Sequence, residues 1–238
     1  MTKTNSTTER NYPLVKLIQR RQFLQYAGAS VLAVGMIGCK KEDDAAPSTP
    51  YINTDNTIDF RDDTGLLNYI YALEQLEAAF YIKVVANFPT AFTVQQKMLF
   101  NDVRLHEIAH REFFKRFLGA TGIGTLAFDF STIDFADATA VLNAAKTFED
   151  LGVAAYNDAI VRSKNDYNLI ILSQIATVEA RHAAYVRSQV NALGFADLTE
   201  LAPLGADATS ALDVSLAPGK VLEQASKYIK TKLNIINL

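Results

Sequence analysis

Four stretches of this 238-residue chain repeat apolar side chains every three and four residues, and each runs for about 25 residues. The first, 62–87, carries Leu66, Ile70, Leu73, Leu76, Phe80 and Val84 and stops before Pro89. The second, 92–118, carries Leu99, Val103, Phe114 and Phe117 and ends at Gly119. The third, 135–163, presents Leu142, Ala145, Phe148, Gly152, Ala155 and Ala159, and the fourth, 167–193, presents Leu172, Ile175, Val186 and Val190. Helices of this size are about 38 Å long and match one another in length. The short connections at 88–91 and 164–166 require antiparallel neighbours, whereas 119–134 is long enough to run along the bundle. The expected fold is all-α: an antiparallel four-helix bundle over 61–194 with a long crossover between the second and third helices. A C-terminal extension, 195–238, is expected to hold one amphipathic helix over 218–233, and no strand pattern of any length is visible.

Acids interrupt the apolar stripes where a core should be. Glu107 and His110 follow Val103 and precede Phe114 at spacings of four, three and four, so they point inward with their neighbours. Glu179 and His182 stand between Ile175 and Val186 in the same way. On the first and third helices, Glu74 precedes Tyr81 and Glu149 precedes Tyr156 by two turns in each case. An ionised carboxylate in an apolar interior costs several kcal/mol unless it is compensated, and four together repel one another. No lysine or arginine shares these stripes. Two divalent cations would balance four carboxylates, and neutral imidazoles add nitrogen ligands without changing the sum.

Glu on the first and third helices, with Glu-x-x-His on the second and fourth, resembles the ligand scheme of ferritin-like di-iron or di-manganese carboxylate bundles. The resemblance covers about 62 to 193. Within it, "LEQLEAAFY" is most similar to an exported ferritin-like branch that includes desiccation-related proteins. The resemblance implies that Glu74 and Glu149 each bind one metal, that Glu107 and Glu179 bridge two, and that His110 and His182 each complete one position. Glu77, one turn after Glu74 on nearly the same face, reads as an outer acid or an additional ligand. Tyr81 and Tyr156 read as hydrogen-bond donors to ligating carboxylates or as plain core tyrosines. His106 lies about 100° around the helix from Glu107, which favours an outer or surface role over ligation. Arg104, Arg111 and Glu112 read as a solvated face.

The first forty residues differ in kind. Lys3, Arg10, Lys16, Arg20 and Arg21 stand against a single acid, Glu9, and then comes "FLQYAGASVLAVGMIGC". A basic start followed by a short apolar segment reads as a secretory signal over 1–38, too short to span a bilayer comfortably. "RRQFL", with Arg20 and Arg21, resembles the twin-arginine export motif, and "MIGC" resembles a lipobox that would lipidate Cys39, the only cysteine. A polar tether over 39–60 follows, and its Lys41-Glu42-Asp43 resembles a signal for the outer face of the outer membrane.

These readings give an exported lipoprotein anchored to a membrane through Cys39, facing the periplasm or the cell surface. Residues 39–238 carry about seven net negative charges and no basic stripe, which argues against a nucleic-acid partner. The expected cofactor is a pair of divalent ions, iron or manganese, and the expected partner is a small oxidant or a metal ion; homo-oligomer formation stays open. The resemblance implies redox chemistry on dioxygen, peroxide or ferrous ion, of ferroxidase, peroxidase or catalase type. The alternative is a non-enzymatic stress-related or surface-binding bundle whose metal is a structural clamp or is absent.

Overall fold

Each long helix begins where a polar side chain accepts the first free amide protons. In the computed structural model, which describes residues 52–238, Asp62 caps helix α1 (Asp63–Ala86) by accepting from the amides of Thr64 and Gly65. Thr93 and Gln96 form a reciprocal capping box at α2 (Val94–Leu118). Asp137 caps α3 (Ala138–Arg162) and Asn165 caps α4 (Asp166–Val190). The four expected helices are therefore present, with ends shifted by a few residues. The signal sequence, Arg20, Arg21, Cys39 and Lys41–Asp43 lie outside the described residues.

The helices pair as two antiparallel hairpins, α1 with α2 and α3 with α4. The crossover between them runs along α1, as its length suggested, and α1 side chains fasten it. Asn68 donates to the Thr121 carbonyl at 2.9 Å and accepts from the Ile123 amide at 2.7 Å. Two turns on, Gln75 accepts from the Leu126 amide at 2.9 Å and donates to the Gly124 carbonyl at 3.2 Å. Farther along, the Lys83 ammonium lies 4.3 Å from the centre of the Phe135 ring. Covered on so many sides, α1 is buried almost all round, which explains why its sequence is the most apolar of the four.

The core is aromatic beyond the site. Phe80 is fully buried, with the rings of Phe130, Phe135 and Phe148 around it at centroid distances of 4.9 to 6.0 Å. Burying each such side chain stabilises the fold by about 1.5–3 kcal/mol. The ends of two predicted stripes are less covered than expected. Phe117 is 40% exposed and Val190 38%. Both lie near helix ends on α2 and α4, which approach each other only sparsely, and Phe117 meets α4 through a stacked contact with Tyr167.

Two further expectations are corrected. The end of the predicted tether is part of the fold: strand β1 (Thr57–Asp59) pairs in parallel with β2 (Asn234–Ile236), and Ile58 is fully buried. So strands exist where none was expected. The C-terminal helix is also shorter, with α5 spanning Pro218–Ala225, a single 3-10 turn to Tyr228, and an extended path after it. The extended path is favoured because it hydrogen-bonds elsewhere: the Tyr228 carbonyl accepts from the Asp129 amide at 2.8 Å, and the Lys230 amide donates to Ala127 at 2.8 Å. The segment between α4 and α5 is tied to the bundle by Arg187. Its guanidinium pairs with Asp150 at 2.9 Å and donates to the Asp197 carbonyl at 2.7 Å.

Candidate metal centre

Each of the four long helices places one glutamate at zero exposure: Glu74 on α1, Glu107 on α2, Glu149 on α3 and Glu179 on α4. His182 is buried, and the His110 side chain is 12% exposed. Their ligand atoms gather into two groups, Glu74 with Glu107, His110 and Glu179, and Glu107 with Glu149, Glu179 and His182, with all atoms within 4.8 Å of one another in each. The histidine Nδ1 atoms mark the two centres. His110 Nδ1 lies 2.9 Å from Glu179 Oε1, 3.4 Å from Glu74 Oε2 and 3.6 Å from Glu107 Oε2. His182 Nδ1 lies 2.8 Å from Glu107 Oε1, 3.5 Å from Glu149 Oε2 and 3.7 Å from Glu179 Oε2. Glu107 and Glu179 thus offer one oxygen to each group. All six side chains named from the sequence converge.

These short separations are not hydrogen bonds. Both oxygens of Glu107 and of Glu179, Glu74 Oε2, Glu149 Oε2 and both Nδ1 atoms are buried without an aligned partner. The atoms of each group are brought together without pairing off. An unpaired buried polar group costs about 1–3 kcal/mol, more when charged, so a cluster left in this arrangement would be strongly unfavourable. Metal ions fit it: converging carboxylate oxygens and imidazole nitrogens, once deprotonated, are the donor set for a borderline or hard divalent cation.

Without a cation, the imidazoles themselves balance part of the carboxylate charge. Burial alone would neutralise the imidazoles, yet the carboxylates around them outweigh it. The proton on His182 is held up to about 12, chiefly by Glu149 and Glu107, and His110 is raised farther still, with Glu74 the foremost cause. Glu179, though fully buried, is drawn down to about 2 by its close contact with both histidines and their positive charge. Burial and the charge of Glu179 push Glu107 up to about 8. Glu149 is raised by burial, against the pull of His182. Protons on two imidazoles therefore supply the positive charge that the carboxylates need.

The outer residues are resolved in a way that spacing did not specify. Each tyrosine donates its hydroxyl proton across the bundle, Tyr81 of α1 to Glu149 of α3 and Tyr156 of α3 to Glu74 of α1. The two-turn interval puts glutamate and tyrosine on one face, and the hydrogen bond then crosses to the facing helix. Both tyrosines are buried, and burial together with the adjacent carboxylates raises their hydroxyls well above the ordinary value. Glu77 is 2% exposed and stands outside both groups, with Oε2 unpartnered. Burial and then the charge of Glu179 raise its carboxyl well above the usual range.

His106 is closer to the site than the helical angle suggested. Its Nδ1 lies 2.8 Å from His182 Nε2, with the two rings stacked at 18°. Burial, followed by the positive charge of His182 and His110, lowers the pKa of His106, which suits it as a neutral acceptor for the His182 Nε2 proton. Only its place in "HEIAH", beside Glu107, hinted at this in the sequence. Asp150, next to Glu149, faces away and pairs with Arg187.

Comparison with known proteins agrees with this architecture. No curated protein matches the chain significantly. The family model described as the ferritin-like domain, however, matches residues 62–192, which run from the cap of α1 to just beyond the end of α4. With four helices, the long crossover and a carboxylate–histidine cluster able to hold metal at its centre, the chain belongs to the ferritin-like family.

Proposed function

We propose that this protein is a dinuclear metal redox protein of the cell envelope, exported by the twin-arginine route and anchored through a lipid on Cys39. One observation carries the dinuclear reading: the two ligand groups overlap, sharing Glu107 and Glu179, while each has its own glutamate and histidine. A single shared cation would leave one histidine and one carboxylate stranded. In this reading Glu74 and His110 would hold one ion, Glu149 and His182 would hold the other, and Glu107 and Glu179 would offer an oxygen to each. Bound iron or manganese would supply open coordination positions and electrons to a small oxidant such as dioxygen or peroxide, or would be exchanged as ferrous substrate.

The chain's own residues prepare this chemistry. Tyr81 and Tyr156 fix the orientation of Glu149 and Glu74 by donating to one oxygen of each, leaving the other oxygen for a cation. The zero exposure of the four glutamates keeps bulk water from competing for them. The partly exposed His110 and the exposed His106 lie on the side where α2 and α4 meet only sparsely, which favours that side for entry of a small reactant.

The test is elemental analysis of the purified chain expressed in medium rich in iron and manganese, with oxygen and peroxide consumption measured beside it. Two metals per chain and consumption of one oxidant are expected, with both lost in Glu107→Ala. If wild type holds two metals but consumes neither, and Glu107→Ala unfolds, the metal is a structural clamp. A wild type that binds none refutes the metal reading.

A further inference from the structure

The two halves of the bundle follow one scheme, so the places where they depart from it are informative. Aligning Glu74 with Glu149 and Tyr81 with Tyr156 sets Glu77 against Gly152. Aligning Glu107 with Glu179 and His110 with His182 sets His106 against Val178. In each pair one half has a donor or acceptor side chain and the other has none.

Both departures serve the same position. A β-carbon at Gly152 would lie 2.8 Å from Glu77 Oε1 and 3.7 Å from Glu179 Oε2, so the missing side chain on α3 is the room that Glu77 occupies. Glu179 Oε2 is the oxygen that faces His182, whereas Oε1 faces His110. The Glu77 carboxylate thus extends to α3, where the same space at Gly152 also borders Glu179 Oε2. His106 lies against His182 as well, 2.8 Å from the ring nitrogen opposite the one aimed at the carboxylates. Val178, at the matching place in the other half, offers His110 no hydrogen bond.

Resting on the di-metal reading above, we infer that the two positions are unequal and that the His182 position takes a divalent cation first and more tightly. A fifth carboxyl group near a cation, though outside its ligand group, adds attraction in a water-poor interior when ionised. An acceptor on the outer nitrogen of a ligating histidine fixes its tautomer and ring orientation and raises its basicity, and loss of such a partner lowers metal affinity by about 10–100-fold. Glu77 and His106 act here as positioning residues, one by charge and the other through His182, and Gly152 is the space that admits the first.

The experiment is a titration of the metal-stripped full chain with Mn2+ by calorimetry, and with Co2+ by visible absorption to report coordination. Two transitions separated by about tenfold or more in Kd are expected. His182→Ala should remove the tighter one and His110→Ala the weaker. His106→Val should weaken the tight position by about 10–100-fold, and His106→Asn, which keeps an acceptor, should recover part of the loss where a packing role would not. Glu77→Gln should narrow the gap as well. Val178→His, which removes nothing from the core, should tighten the weak position alone. Two equal transitions in wild type, loss of the tighter one in His110→Ala, or no effect of His106→Val would overturn the inference while leaving the di-metal reading intact. No binding by wild type would defeat both.

Discussion

Protons and a bound metal ion would compete for the same two imidazoles. His182 is raised to about 12 and His110 farther, so both are charged at neutral pH in the metal-free chain, while Glu179 is lowered to about 2 and is ionised. The signs follow by linkage. The raised histidines contribute stability that is fully present below their ordinary value of 6.5 and is lost as pH climbs through the folded value, about 12 for His182. The lowered Glu179 contributes stability present above 4.5 and lost as pH falls through about 2. A cation must displace the protons on Nδ1, because a protonated nitrogen has no lone pair to give. Binding should therefore release about one proton from each imidazole, and apparent affinity should rise between about pH 6 and pH 8. Calorimetry in buffers of different ionisation enthalpy measures this release. Heats that do not depend on the buffer would show that the imidazoles are not ligands. The six converging residues were legible because acids on an apolar stripe must be explained by something. For His106 the outer role was legible but its partner was not, since a ring turned about 100° from Glu107 meets His182 on another helix, and helical periodicity describes only one helix at a time.

At the scale of elements, the four helices were legible because each has enough turns for its period to show. The strand pair was not: β1 and β2 have three residues each, too few to alternate, and the partners of the register Ile58↔Ile235 lie at opposite ends of the described chain. The same brevity hid the early end of α5, where hydrogen bonds to the crossover replaced the last predicted turns. One residue nevertheless records the strand. Gly65, in the first turn of α1, packs so closely under β1 that a β-carbon there would overlap the Asp59 carbonyl group, which is backbone and cannot swing aside. Gly65→Ala should therefore destabilise the fold despite the better helix propensity of alanine, by about 1–3 kcal/mol from overpacking. Urea denaturation checks it through a lower midpoint. Metal content should be unchanged, because Glu74 lies more than two turns farther along α1. A midpoint equal to or above wild type would mean that β1 does not rest on this glycine.

For the whole molecule, the cluster is where all four helices meet, so its occupancy is linked to the stability of the bundle. Each helix commits a buried carboxylate to the same small volume, and the crossover, the strand pair and Arg187 pack on the bundle away from it. A cation that binds the folded chain and not the unfolded one stabilises it by about 2.7 kcal/mol per position when present at a hundred times its Kd. In a chain of this size each kcal/mol moves Tm by about 2–4 °C, so filling both positions should raise it by about 10–20 °C. Unequal positions add a finer expectation. Stoichiometric Mn2+ should deliver the first part of the rise by filling the His182 position, and excess Mn2+ the remainder. Scanning calorimetry of the stripped chain, the loaded chain and the loaded chain after chelation reads this directly, and His182→Ala should lose the first part while keeping the second. Glu107→Ala should lose nearly all of it, because Glu107 contributes an oxygen to both groups. A Tm indifferent to Mn2+ in wild type would mean that the convergence of the four helices on these carboxylates is held by the two imidazolium protons alone.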